Sequence, residues 1–94
     1  MTTKPSYAHI RLLELLLYDT ENIDILESGT EWVRIRGKTV PISQRMGIKW
    51  LKVFEYLNRL ELAGYVRYTK ITGRGRFECE LRIPKCVRNI STFY

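Results

Sequence analysis

Most residues in this sequence that could do chemistry are cations, and they are concentrated in its second half. Residues 1–31 carry two basic and six acidic side chains, a net charge of −4, whereas residues 32–94 carry fourteen basic and four acidic ones, a net charge of +10. A basic segment of this size attracts polyanions, and nucleic acid is the commonest such partner. The charge distribution therefore favours nucleic-acid binding. A basic protein without a specific target is the alternative that charge alone leaves open.

Residues suited to catalysis or metal binding are few and scattered. His9 is the only histidine and lies on an amphipathic stretch, where a surface or capping role is expected. Cys79 and Cys86 lie seven residues apart without a second pair, so neither a metal site nor a disulfide framework is expected. Because no cluster joins a nucleophile to a base, or assembles metal ligands, the sequence predicts a protein that is not an enzyme and uses no cofactor.

The composition is typical of one small globular domain. The chain has 94 residues, of which 45% are apolar and 28% charged. Its longest apolar run, from Leu15 to Tyr18, is too short to cross a bilayer, and its first residues do not have the pattern of a signal peptide. We therefore expect an intracellular, cytoplasmic protein with no membrane partner. Because a chain of this length has a modest core, dimerisation would help to stabilise it.

Two helices joined by a tight turn are predicted between residues 40 and 63. The first, over 40–46, opens with Pro41, because proline is tolerated in the first turn of a helix. The second, over 48–63, follows Gly47, which can adopt the positive φ of a turn, and ends before Gly64. One unbroken helix from Ser43 to Ala63 is the alternative, since a single glycine inside a helix costs only about 1 kcal/mol.

The spacing within this segment carries a resemblance to a known family. Ser43, Gly47 and Val53 place a small residue where two helices would cross, a glycine in the turn and a branched apolar anchor in the second helix. With the closing residues LNRLELAGYV, the segment resembles the helix-turn-helix core of the winged-helix DNA-binding superfamily, and the resemblance covers residues 10–83. It implies an α+β winged helix-turn-helix, with three helices, a short strand and a C-terminal β-hairpin called the wing. Stand-alone proteins of this kind are typical of phage, archaeal-virus and plasmid genomes.

Local patterns place the other elements of the single domain. Apolar residues at helical spacing predict a first helix over 6–18, and alternation predicts a strand over 32–36. Two strand-like runs around the glycine-rich loop TGRGR predict a hairpin over 65–83, followed by a tail over 84–94. Residues 19–31 are acidic, and either a short helix or a loop packed on the core fits them. We expect this acidic stretch to point away from DNA.

The resemblance also implies how double-stranded DNA would be bound. The outward face of the second helix would enter the major groove, while the basic wing would contact the flanking backbone or minor groove. Trp50 is expected in the core, whereas Leu51 faces outward and could contact a thymine methyl group or a protein. The predicted DNA-contacting residues are Lys38, Gln44, Arg45, Lys49, Leu51, Lys52, Glu55, Asn58, Arg59, Lys70, Arg74 and Arg76.

These features predict a small, dimeric transcription regulator. First helices of small winged-helix proteins often form dimer surfaces, and an apolar tail can dock on a partner. The predicted homodimer interface comprises Leu12, Leu15, Leu16, Ile90, Phe93 and Tyr94. The alternative function is a protein-interaction module that docks on host polymerase or replication machinery through Leu51, Phe54 and the apolar tail.

Overall fold

A computed structural model describes residues 6–93, which form four helices and one four-stranded antiparallel sheet. The helices are α1 (Tyr7–Tyr18), α2 (Thr39–Met46), α3 (Trp50–Leu62) and α4 (Ile83–Phe93). The strands are β1 (Ile23–Ser28), β2 (Trp32–Lys38), β3 (Val66–Gly73) and β4 (Arg76–Arg82). The chain order is α1-β1-β2-α2-α3-β3-β4-α4.

The predicted architecture of three helices, one short strand and a C-terminal hairpin is therefore wrong. Residues 19–31, predicted as a loop or short helix, contain β1, which pairs with β2. Its acids masked the strand pattern, but Ile23 is buried opposite Gly37 and Ile25 lies opposite Ile35. The predicted tail likewise forms α4, because proline is compatible with the first turn of a helix and Cys86 is buried on its inner face.

The sheet joins two hairpins through its two central strands. Its strand order is β1-β2-β4-β3, so β4 pairs with β2 on one side and with β3 on the other. Side chains alternate along each strand, and the inner face buries Val33, Ile35, Phe77 and Leu81 against the helices. The Phe77 ring lies over Gly37, where an added Cβ would come within 2.4 Å of it. Glycine is therefore required at that point of β2.

Helix α1 lies at the centre of the core and packs against α2, α3, α4 and β1. Because α1 has neighbours on several sides, Leu12, Leu15 and Leu16 are buried within one chain, at 0%, 4% and 1% exposure. These three members of the predicted dimer interface are thus not on the surface. Ile90 is half-buried and packs against the same core. The predicted contacts of the Phe93 side chain and of Tyr94 lie outside what the structure describes.

The C-terminal helix α4 is fastened to the end of α3 by one side chain. Lys85 Nζ donates a hydrogen bond of 2.7 Å to the carbonyl oxygen of Ala63, the residue that caps α3. The same ammonium group lies 4.8 Å from the centre of the Tyr65 ring. A cation at a helix C-terminus satisfies a free carbonyl and complements the helix dipole. This contact therefore stabilises the last turn of α3.

Gly47 separates α2 from α3. It adopts φ 68° and ψ 33°, the left-handed conformation, and Ile48 N donates to the Ser43 carbonyl oxygen at 3.1 Å. L-residues other than glycine enter this region at a cost of about 1–2 kcal/mol. The chain is broken here into two helices, and the alternative of one unbroken helix from Ser43 to Ala63 does not occur.

We expect Gly47→Ala to lower the free energy of unfolding by about 1 kcal/mol, because alanine is strained at this φ while an added Cβ there contacts nothing within 4 Å. Gly73→Ala is the matched control, since its Cβ also meets no atom within 4 Å and its φ is not positive. Urea denaturation of both variants measures the difference. Equal stability of the two variants would contradict the strained-turn explanation.

Candidate nucleic-acid interface

Helix α3 presents a polar face to solvent along its length. Its inner positions Val53, Leu57 and Leu60 are buried at 0% exposure, which fixes the rotation of the helix. Besides its first residue, Trp50, six residues of α3 are exposed on the other side, and five of these six were predicted to contact DNA. These six residues are Leu51, Lys52, Glu55, Asn58, Arg59 and Leu62.

Trp50 was expected in the core, and the structure corrects this expectation. As the first residue of α3, it lies beyond the packed part of the helix, with 48% of its surface exposed. Its ring meets Phe54 edge-on, with the ring centres 6.2 Å apart. The adjacent Leu51 is 59% exposed. Trp50 and Leu51 together form what we call the apolar patch, at the end of α3 that would reach a groove first.

The charges on α3 are only partly offset by each other. Lys52 Nζ lies 2.9 Å from Glu55 Oε2, and this hydrogen bond raises the pKa of Lys52. The pair neutralises the one acid on this face, which would otherwise repel phosphates. Lys49, just before the helix, and Arg59 in its last turn form no ion pair with any residue of the described chain. These two cations are free to meet an anionic partner.

Arg45 is occupied by acids of the N-terminal half. Its Nε lies 3.6 Å from Asp19 Oδ2, and one of its terminal nitrogens lies 3.4 Å from Glu21 Oε2. The Asp19 carboxylate is buried and also accepts a hydrogen bond of 2.9 Å from Asn22 Nδ2. Arg45 thus ties α2 to the end of α1. Gln44, its exposed neighbour on α2, has no such partner within residues 6–93.

A second group of cations, which we call the tip cluster, lies at the end of the sheet where β3 turns into β4: Lys38, Arg74 and Arg76. Lys38 and Arg76 lie opposite each other in the β2–β4 register. All three side chains are exposed, and none forms an ion pair with a residue in the described range. Arg74 and Arg76 border an open, shallow cavity of about 500 Å³ at the end of the hairpin. Lys70, further down β3, lies 4.0 Å from Glu78 and is partly offset by it.

One backbone hydrogen bond fixes the tip cluster relative to the two helices. Thr39 N, at the first residue of α2, donates to the carbonyl oxygen of Gly75 at 2.7 Å. Helix α2 has 8 residues and is about 12 Å long, and the Gly47 turn at its other end leads into α3. The tip cluster and the start of α3 therefore lie at opposite ends of α2. This separation is similar to the width of about 12 Å of the major groove.

The arginines in the middle of the sheet were not among the residues predicted from the sequence to contact DNA. Arg34 and Arg36 on β2, and Arg67 on β3, extend from the face opposite the helices. Arg36 pairs with Glu78 at 3.4 Å and Arg67 with Glu80 at 3.0 Å, whereas Arg34 has no acidic partner among the described residues. The alternation from Trp32 to Arg36 was the signal that placed Arg34 and Arg36 on one face of a strand.

The other residues that could react, His9 and the two cysteines, are buried or hydrogen-bonded within the fold. His9 Nδ1 lies 2.6 Å from Ser6 Oγ at the start of α1, and burial together with Arg59 lowers the pKa of His9. Cys79 and Cys86 are buried free thiols, and burial raises the pKa of Cys86 to about 12. Within residues 6–93, no three His, Cys, Asp or Glu side chains are grouped to hold a metal ion. None of the described helices has the length and hydropathy to cross a membrane.

The chain matches no family model, and no curated protein is similar to it in sequence.

We expect Arg45→Ala to lower the free energy of unfolding by about 1 kcal/mol, because the buried Asp19 carboxylate loses part of its charge compensation. Gln44→Ala, at the exposed neighbouring position, is the control and should leave stability unchanged. Thermal or urea denaturation at neutral pH compares the two. If Arg45→Ala melts like the control, Asn22 alone is sufficient to hold Asp19.

Proposed function

We propose that this protein binds double-stranded DNA and acts as a small regulator of transcription. Helix α3 lies in the major groove, and the tip cluster contacts the flanking backbone or the minor groove. The observation that carries the proposal is that cations without an ion pair among residues 6–93 occur at both ends of α2, with Lys49 at the turn into α3 and the tip cluster at the Gly75 hydrogen bond. The resemblance of residues 39–66 to a helix-turn-helix supports the same function, although β1 and α4 were not expected from it.

The dimensions of α3 suit the major groove. Its 13 residues span about 20 Å, and its outward face combines hydrogen-bonding, basic and apolar side chains. Asn58 can form paired hydrogen bonds with adenine, and Leu51 can contact a thymine methyl group. Lys49 and Arg59, one before α3 and one in its last turn, are placed to meet phosphates on either side of the groove.

The tip cluster suits the backbone or a narrow minor groove. Arginine remains charged at every accessible pH and can contact a phosphate through two donors. A narrow minor groove concentrates negative potential and attracts an inserted arginine. Lys38 and Arg76 face each other across the two strands, so they can contact phosphates together. Contacts of this kind position a protein on DNA without selecting a sequence.

A homodimer stays a prediction, but three of the six residues predicted for its interface are not on the surface. These are the three α1 leucines, which are buried inside one chain. A regulator that binds as a dimer would have to join its copies through residues other than these three leucines.

We expect duplex affinity to fall about a thousandfold between 50 and 200 mM salt if about six phosphates are contacted, since each contact releases condensed counterions. Replacing Arg74 and Arg76 together with alanine should weaken binding to every duplex alike and make the salt dependence shallower. Replacing Arg82 and Arg88 with alanine removes the same charge from β4's other end and from α4, and is the matched control. Fluorescence anisotropy with random duplex DNA measures both. Equal affinities of the two double variants would rule out the tip cluster as a DNA contact.

The apolar patch favours a second candidate function, a module that docks on host polymerase or replication machinery. Trp50 and Leu51 are exposed side by side, and aromatic residues with apolar neighbours commonly anchor protein interfaces. Such a surface would need no DNA.

Replacing Trp50 and Leu51 with alanine distinguishes the two functions. DNA binding through α3 predicts a loss of about fivefold or more in duplex affinity, because these residues lie at the end of the helix that enters the groove. Protein docking predicts unchanged duplex affinity. Leu62→Ala is the control, because Leu62 is 79% exposed at the opposite end of α3. The measurement is again anisotropy, with circular dichroism to check the fold.

A further inference from the structure

The face of the sheet turned away from the helices is open, and we call it the outer sheet face. The inner residues of β2 and β4 are buried in the core, so their alternating neighbours point outward. Register places Arg34 opposite Glu80, and Arg36 opposite Glu78. On β3, Arg67 pairs with Glu80 and Lys70 with Glu78. No described helix packs on this side of β2 and β4.

Two aromatic rings and one guanidinium group form a stacked row on the outer sheet face. The guanidinium carbon of Arg67 lies 3.8 Å from the centre of the Trp32 ring and 5.0 Å from that of Tyr68. Trp32 belongs to β2 and the other two residues to β3, so the row spans three strands of the sheet. Arg67 Nε also donates to Glu80 Oε1 at 3.0 Å, which fixes the guanidinium plane. The row is therefore preorganised before any ligand binds.

Tyr68 ends this row, and the residue is 68% exposed. Its φ is 56°, and it is the only residue other than glycine with positive φ in the described chain. It occupies an irregularity in the β3–β4 pairing, between Arg67 and Lys70. That irregularity turns Thr69 N towards Glu61 Oε1 on α3, at 3.5 Å. Glycine or asparagine would accept this backbone with less strain than tyrosine.

The surroundings of Tyr68 are basic on balance. Its ring lines a cavity of about 190 Å³ that is bordered by Arg34 and Lys70 and by the carboxylates of Glu78 and Glu80. Both carboxylates are paired, Glu78 with Arg36 and Lys70, and Glu80 with Arg67. Arg34 is left without an ion pair among residues 6–93. An exposed ring beside an uncompensated cation complements a base attached to a phosphate.

We propose that the outer sheet face binds single-stranded nucleic acid. An unpaired base stacks on Tyr68, and the adjoining phosphates contact Arg34 and Lys70. The bases of an intact duplex are covered on both faces by their neighbours, so this site selects unpaired strands. Base–aromatic stacking of this kind tolerates any sequence, and the phosphate contacts make binding depend on salt. The site is separate from α3, which would contact duplex DNA from the other side of the sheet.

Binding of a short fluorescent oligothymidylate, which forms no duplex, tests the proposal by anisotropy. Tyr68→Ala should weaken oligonucleotide binding about tenfold, whereas Tyr68→Phe should bind like the unaltered protein, because the stacking ring remains. Tyr18→Ala is the matched control, since Tyr18 is 63% exposed at the end of α1. Duplex affinity should be unchanged in all three variants. Oligonucleotide affinity of Tyr68→Ala equal to that of the control would overturn the proposal.

Tyr68→Gly separates stacking from backbone strain. Glycine accepts a φ of 56° without strain, so this variant folds while lacking the ring. It should lose oligonucleotide affinity as much as Tyr68→Ala does, and retention of affinity would refute the stacking site. Poly-L-glutamate is the competitor that represents an acidic protein, and displacement of the oligonucleotide at equal charge concentration would also refute it. Oligonucleotide binding without duplex binding would support this site while removing the proposed function.

Discussion

The pairing of β2 with β4 is the constraint on which the arrangement of this molecule depends. Seven consecutive residue pairs, from Trp32 opposite Arg82 to Lys38 opposite Arg76, join two hairpins that are distant in sequence. This pairing buries one face of both strands against the helices. It also brings the β3–β4 turn to the first residue of α2, where the hydrogen bond from Thr39 to Gly75 forms. Without it, the cations of the hairpin would have no fixed position relative to α3.

The same pairing separates the charged residues into two kinds. Along the middle of the sheet, cations face Glu78 and Glu80 across the register, and of these only Arg34 forms no ion pair among the described residues. At the end of the hairpin, Arg76 faces Lys38 instead, so positive charge accumulates without an acidic partner in the described part of the chain. Arg45 follows the first pattern, because α2 places it beside Asp19. Much of the positive charge in residues 32–94 is thus taken up by ion pairs, and only the remaining cations can attract an anionic partner.

The features that could be predicted from the sequence are those set by a few neighbouring residues. A short segment opened by Pro41 and closed by a glycine was sufficient to predict the break at Gly47, and two glycines between strand-like runs were sufficient for the hairpin tip. Strand β1 was missed because its pairing with β2 outweighs the acidic composition of its own residues. The burial of Leu12 and Leu15 depends on which elements surround α1, and the exposure of Trp50 on where the core ends. These depend on packing between distant segments, which a local pattern does not encode.

The contact between Lys85 and Ala63 divides α3 into two mechanically different halves. The last turn is held by α4, so loosening of the C-terminal helix would first weaken the hydrogen bonds of that turn. The opening turn is held by α2 and the Gly47 corner, and has no attachment to α4 through this contact. Loss of α4 packing would therefore fray the last turn of α3, while its first turn would keep its position beside α2.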